Sequence, residues 1–122
     1  MRSHQAEIRI QANGSGGFLD LTERVQQAVD SAEIQAGRAT VSGGGSDCAL
    51  VVNEKETGLL TDVRAAIERL GPAESAVHAV GSGSIVLPVV EGKLKLGTWQ
   101  RVLLMELNGS ADRVVNVQVI GE

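Results

Sequence analysis

Residues 84–120 read SIVLPVVEGKLKLGTWQRVLLMELNGSADRVVNVQVI, and this stretch decides the fold. Runs rich in Val, Ile and Leu alternate with short turn sequences that contain glycine, which predicts consecutive β-strands. We predict strands over residues 84–90, 93–96, 99–107 and 113–120. Strands joined by tight turns should be antiparallel neighbours, and Pro88 places the first of them at a sheet edge or a bulge.

The first part of the chain predicts two helices and three more strands. Strands are expected over 5–12, 38–42 and 48–52. A first helix should begin with Thr22 as N-cap and bury a stripe of apolar residues, and a second should run from Leu59 to Leu70. Strands and helices in this order predict an α+β fold, with a largely antiparallel sheet packed with two main helices. Residues 1–122 should form a single domain.

Composition excludes several classes of partner. The net charge is −4 and aromatic residues make up only 2% of the chain, so we expect no nucleic-acid partner. The longest apolar run, 85–90, is far shorter than the ~20 residues that span a bilayer, and residues 1–10 do not resemble a secretory signal. We therefore expect no membrane partner and a cytoplasmic location.

Few residues carry obvious chemistry. The glycines at 43–45 are either a plain loop or a phosphate cradle without the ending of a P-loop. His4 is expected in a frayed terminus and His78 in a surface loop, so no metal site and no cofactor is predicted. Cys48 is interpreted as a small buried hydrophobe. Glu106 lies among apolar residues and is either paired or functional.

Several motifs together resemble the YjbQ-like family, whose members are often called secondary thiamine-phosphate synthases. They occur in the family's order along nearly the whole chain: Gly17-Phe18-Leu19-Asp20-Leu21-Thr22, Val52-Asn53-Glu54, Leu87-Pro88-Val89, GKLKLGTWQ at 92–100, and Gly121-Glu122. The resemblance implies a small α+β domain that forms trimers, with a pocket near histidines that can hold a metal or an anion. It also implies weak synthase activity, which joins a pyrimidine pyrophosphate to a thiazole phosphate.

The chain departs from this pattern at both signature histidines. Counting back from Asn53-Glu54, the first histidine position is Gly45, and the second aligns with Glu74. Without two imidazoles, the site lacks its strongest metal ligands and its proton shuttle at neutral pH. Asp47, Cys48 and His78 could form a replacement site.

We therefore predict a noncatalytic or weakly active homotrimer that binds a small molecule, possible ligands being a small anion or a phosphorylated metabolite. Two alternatives stay open: an enzyme with residual thiamine-phosphate synthase activity, and a structural or partner-binding trimer without a ligand pocket. The candidate pocket consists of the residues Gly45, Ser46, Asp47, Asn53, Glu54, Thr98, Trp99 and Gln100.

Overall fold

The computed structural model describes residues 1–109 and 111–122, and it has the α+β architecture that the sequence predicts. In chain order the elements are β1 (Arg2–Ile10), β2 (Gly17–Asp20), α1 (Thr22–Ala32), β3 (Ala36–Gly43), β4 (Ala49–Glu54), α2 (Thr57–Leu70), α3 (Ala73–Ala76), a 3₁₀ turn (Val77–Ala79), β5 (Ser84–Val90), β6 (Lys93–Leu94), β7 (Gln100–Glu106) and β8 (Arg113–Gly121). Within the described residues, no helix is long and apolar enough to cross a membrane.

The strands form two antiparallel sheets. The larger has the order β1-β8-β3-β5-β6, and the smaller has the order β2-β7-β4. The prediction that 99–107 and 113–120 would be paired neighbours is wrong, because β7 is the centre of the small sheet whereas β8 lies between β1 and β3. Their burial explains the separation. β7 is buried on both faces from Val102 onward, whereas the outward-facing residues of β8 remain partly exposed.

The small sheet is covered on both sides. Val102 and Leu104 of β7 join the main core, which also contains α1 and the inner face of the large sheet. Met105 and Leu107 point the other way, into a second cluster beneath α2. The apolar stripe of α1 that the sequence predicts is buried in the main core, as are Val115, Val117 and Val119 of β8.

The chain start and the first helix differ from expectation. His4 does not lie in a frayed terminus, because it belongs to β1 and is opposite Val119. Thr22 is not the N-cap: the residue in that position is Leu21, and the Thr22 hydroxyl instead donates to Asp20 and accepts from the Val102 amide. The Thr22 side chain therefore ties α1 to β7.

Pro88 lies where the sequence predicts, close to the edge of the large sheet. Its carbonyl accepts a hydrogen bond from the Lys95 amide, so the backbone carbonyl of Pro88 points toward the β6 side of the strand. The backbone N and O of one strand residue point to the same neighbouring strand, so the nitrogen of Pro88 also faces β6. The N–H that proline lacks therefore removes no hydrogen bond to β3. The β6 strand is only Lys93–Leu94, two residues shorter than predicted.

Candidate functional site

The eight candidate pocket residues lie at opposite ends of β4. Gly45, Ser46 and Asp47 belong to the loop that precedes β4, and the other five lie at its far end or beside it. The six residues of β4 span about 20 Å. A single chain therefore does not bring the eight residues into one pocket, and two separate places have to be considered.

The first place is a cleft of about 620 Å³, which we call the Trp99 cleft. The antiparallel pairing of β4 and β7 creates it, because Glu54 is directly opposite Gln100. The Gln100 side chain accepts a hydrogen bond from the Gly97 amide and so closes the turn that presents Trp99, whose surface is 73% exposed. The cleft is lined by Glu54, Lys55, Glu56, Thr98, Trp99 and Arg101.

Arg101 was not predicted from the sequence, although it directly follows the matched Gly-Thr-Trp-Gln motif. Its guanidinium donates to Asp20 at 2.8 Å and also to Glu23. Burial raises the pKa of Asp20, but the hydrogen bonds from Thr22 and Arg101 outweigh this effect and lower it. Both carboxylates therefore remain ionised, and they more than neutralise Arg101.

Glu56 also lines the cleft, and its carboxylate is already engaged. The two oxygens accept hydrogen bonds from the amides of Gly58 and Leu59, at 2.9 and 2.7 Å, and thereby cap α2. These bonds lower the pKa of Glu56. The N-terminus of α2, which is the usual place for an anion, is thus occupied by a side chain of the protein.

The second place, at the other end of β4, is a group of paired charges that we call the Arg113 cluster, in which Arg113 and Glu106 are buried and Asp47 is partly exposed. Arg113 is 8% exposed and donates to the two oxygens of Asp47, at 2.5 and 2.8 Å, and to Glu106 at 3.2 Å. Glu106 in turn accepts from the Gly109 amide at 2.6 Å. The hydrogen bond from Arg113 lowers the pKa of Asp47. Glu106 is thus a paired group. Its apolar surroundings in the sequence left open whether it would be paired or functional.

The Arg113 cluster lies against Gly45, the position at which the family resemblance implies the first signature histidine. Gly45 has a φ of +119°, and a Cβ at this position would lie 2.8 Å from Nη1 of Arg113 and 3.1 Å from a carboxylate oxygen of Asp47. Glu74, at the second position, is exposed on α3. A side chain at position 45 therefore requires a shift of the Arg113 guanidinium.

The glycine loop makes bonds within the protein and not a phosphate cradle. The amides of Gly43 and Gly44 donate to the carbonyls of Gly83 and Val114. Backbone N–H groups that are already paired offer nothing to an anion. This arrangement favours the plain loop.

His78 and Cys48 lie near Asp47, but the three do not converge as ligands. Nε2 of His78 is 2.5 Å from the carbonyl oxygen of Ser46 and is therefore engaged as a donor. Cys48 is fully buried, as the sequence predicts, and burial raises the pKa of its thiol to about 11. In the part of the chain that the structure describes, no three His, Cys, Asp or Glu residues are grouped closely enough to hold a metal ion.

Another concave surface lies on the outer face of the large sheet, away from all eight candidate residues. It measures about 560 Å³ and is lined mainly by uncharged polar side chains such as Thr40, Asn116 and Gln118. Glu7 is its only titratable group among the described residues. With mostly uncharged side chains, this surface carries little chemistry.

Comparison with known proteins places the chain in a family. The family model for UPF0047 protein YjbQ-like matches residues 6–122. A UPF0047 protein of Archaeoglobus fulgidus is 36% identical over 117 residues, covering 84% of this chain and 90% of that protein. A UPF0047 protein of Methanothermobacter thermautotrophicus is 29% identical, covering 100% and 95%.

Solved structures agree with the sequence comparison. A YbjQ-like protein of unknown function from Sulfolobus solfataricus superposes with a TM-score of 0.89 and 28% identity, covering 99% of both chains. A hypothetical protein from Aeropyrum pernix superposes with a TM-score of 0.86 and 30% identity, covering 97% of this chain and 98% of that one. The chain belongs to the YjbQ-like family, UPF0047.

Proposed function

We propose that this protein is a noncatalytic member of the YjbQ-like family, which binds a small molecule in the Trp99 cleft and works as a homotrimer. The observation that carries the proposal is the contrast between the two ends of β4. The end that carries Gly45 is filled by the paired charges of the Arg113 cluster, whereas the other end is an open cleft with an exposed indole.

The Arg113 cluster is the reason to expect no catalysis. Joining a pyrophosphate-activated pyrimidine to a thiazole requires cationic groups or Mg²⁺ to stabilise the leaving pyrophosphate. At this end of β4, Arg113 already donates to Asp47 and Glu106. The cluster has two carboxylates for one guanidinium, which disfavours a polyanion there.

The Trp99 cleft supports the binding of a small molecule. Its volume of about 620 Å³ lies within the range that small-molecule sites occupy, roughly 300–1,000 Å³. Three of the eight predicted residues, Glu54, Thr98 and Trp99, line it. An exposed tryptophan beside several charged side chains is an arrangement that can both contact and orient a ligand.

An apolar stripe on the outer side of β5 supports the trimer. Val86 and Val90 are 58% and 47% exposed, and the exposed Pro88 lies between them on the same face. Apolar side chains that alternate along an uncovered strand are suited to contact with another copy of the chain. Light scattering should then give three times the mass of one chain, and a monomer at micromolar concentration would contradict the trimer.

An activity assay tests the noncatalytic role. Purified protein, incubated with Mg²⁺, the pyrimidine pyrophosphate and the thiazole phosphate, should form no thiamine phosphate above a blank without protein. Product above that blank, lost in the W99A variant, would establish the alternative of residual synthase activity. The cytoplasmic location stays a prediction, which cell fractionation would check.

A structural trimer without a ligand is the other alternative, and the apolar stripe of β5 is the observation in its favour. Binding of any small molecule in the Trp99 cleft decides against it. A trimer whose cleft binds none of the probes described below would establish it.

A further inference from the structure

The charges around the Trp99 cleft indicate what kind of molecule it takes. Four carboxylates line the cleft or contact its lining, against only two cationic side chains. The carboxylates are those of Glu54, Glu56, Asp20 and Glu23, and the cations are Lys55 and Arg101. The cleft therefore has a negative potential, which attracts cations and repels anions.

Arg101 and the start of α2 are both engaged within the protein, so neither is free for an anion. Arg101 would have to give up its hydrogen bonds to Asp20 and Glu23 before it could bind a phosphate. The amides at the start of α2 are satisfied by Glu56. Lys55 alone lines the cleft without an ion pair among the described residues, and it lies between Glu54 and Glu56 in the chain.

Trp99 contributes a surface that suits a cation. Its indole is the largest aromatic face in the chain and is 73% exposed at the mouth of the cleft. The face of an indole carries negative potential and binds ammonium groups, and weakly hydrated quaternary nitrogens are favoured ligands of such faces. Glu54 also lines the cleft, so a carboxylate is available within it as well as the indole.

Resting on the proposed binding function, we propose that the ligand of the Trp99 cleft is an organic cation that carries a quaternary nitrogen. The nitrogen contacts the Trp99 ring, and Glu54 supplies the counter-charge. The uncharged part of the ligand lies against Thr98, whose hydroxyl can accept or donate one hydrogen bond.

The chain provides its own probe, because Trp99 is the only tryptophan and there is no tyrosine. Intrinsic fluorescence of the whole protein therefore reports on the cleft alone. The protein is titrated with choline, with its uncharged isostere 3,3-dimethyl-1-butanol and with inorganic pyrophosphate, all at constant ionic strength. Choline should change the emission saturably. The isostere should have an affinity lower by about fivefold or more, since it lacks the cation–π contribution.

Two variants locate the binding. Replacing Glu54 with glutamine (E54Q) should weaken choline binding about threefold, as expected for one exposed counter-charge. The matched control is E74Q, because Glu74 is an equally exposed carboxylate on α3, outside the cleft, and its loss should leave binding unchanged. W99A, examined by calorimetry, should abolish binding.

Each other result overturns the inference in a recognisable way. Saturable binding of pyrophosphate without choline would show that the cleft takes an anion, and the binding function would stand. Equal affinity for choline and its isostere would show that charge is not recognised. If all three probes fail by both fluorescence and calorimetry, then both this inference and the proposed binding function are wrong.

Discussion

Arg113 donates to both carboxylate oxygens of Asp47, at 2.5 and 2.8 Å, across 66 residues of the chain. The pair joins the start of β8 in the large sheet to the loop that leads into β4 of the small sheet. Glu106, at the end of β7, contacts the same guanidinium. The Arg113 cluster thus fastens the two sheets together where the chain crosses from one to the other.

Replacing Arg113 with methionine should destabilise the protein strongly. The variant R113M would leave Glu106, whose side chain is 4% exposed, as a buried charge without its partner. Breaking a buried pair in this way costs roughly 3–5 kcal/mol. The measurement is urea unfolding, with R9M as control, because the Arg9–Glu7 pair is exposed and contributes about 0–1 kcal/mol. Equal losses in both variants would show that the Arg113 cluster is not structural.

Acid should weaken the same cluster. The hydrogen bond from Arg113 lowers the pKa of Asp47 below its value of 3.8 in unstructured peptides. The stability that this carboxylate contributes is therefore complete above about pH 4 and is lost as the pH falls through the lowered folded-state pKa. The urea midpoint should drop between pH 7 and pH 3, and it should drop less in D47N, which has no charge to protonate. An identical drop in D47N would assign the acid sensitivity to other groups.

The Cys48 thiol should be unreactive in the native protein. Burial raises its pKa to about 11, so the thiolate that reacts is scarce at pH 8, and the sulfur is fully covered. Alkylation by iodoacetamide should be slow in buffer and should rise to the rate of a free thiol in urea, which provides the internal control. Rapid alkylation of the folded protein would mean that the loop before β4 opens often.

The β5–β6 turn offers a stabilising substitution. Glu91 and Gly92 both have positive φ angles, 52° and 75°, as a type I′ turn requires. Asparagine tolerates this conformation better than glutamate does, so E91N should raise the free energy of unfolding by about 0.5–1 kcal/mol. The contrasting variant G92A should lower it, because alanine is strained at this angle. Thermal unfolding of the two variants measures both signs, and a loss of stability in E91N would contradict the turn assignment.

Local patterns predicted the elements well because each depends on neighbours in sequence. A run rich in Val, Ile and Leu located β5, and period-two alternation located β8. The Glu91-Gly92 pair located the hairpin turn that joins β5 to β6. Sheet membership depends on burial by distant residues. The tight turn after β7 suggested a hairpin with β8, but the chain changes sheets there, because β7 has to face both the main core and the cluster beneath α2.

The candidate site was predicted only in part, because local patterns do not reveal partners that are distant in sequence. The motif residues Glu54, Thr98 and Trp99 line one cleft, as residues at neighbouring strand ends should. The ionic partners were missed, since Arg101 and Arg113 find their carboxylates 81 and 66 residues away, and no spacing rule reaches that far. Only the buried position of Glu106 hinted that a cation had to be near.

A histidine at position 45, where the family resemblance implies one, should destabilise the protein. In G45H, the new Cβ would lie 2.8 Å from Nη1 of Arg113 at a φ of +119°, so the guanidinium has to shift. We expect a larger loss in urea unfolding than backbone strain of about 1–2 kcal/mol alone would cause, because the shift weakens the hydrogen bonds from Arg113 to Asp47. The control is G14H, because Gly14 also has a positive φ, +81°, but no atom within 4 Å of its Cβ position, so it should lose only the strain of about 1–2 kcal/mol. If G45H were as stable as G14H, a side chain at position 45 would not disturb the Arg113 cluster, and the expected coupling between this position and the cluster would be wrong.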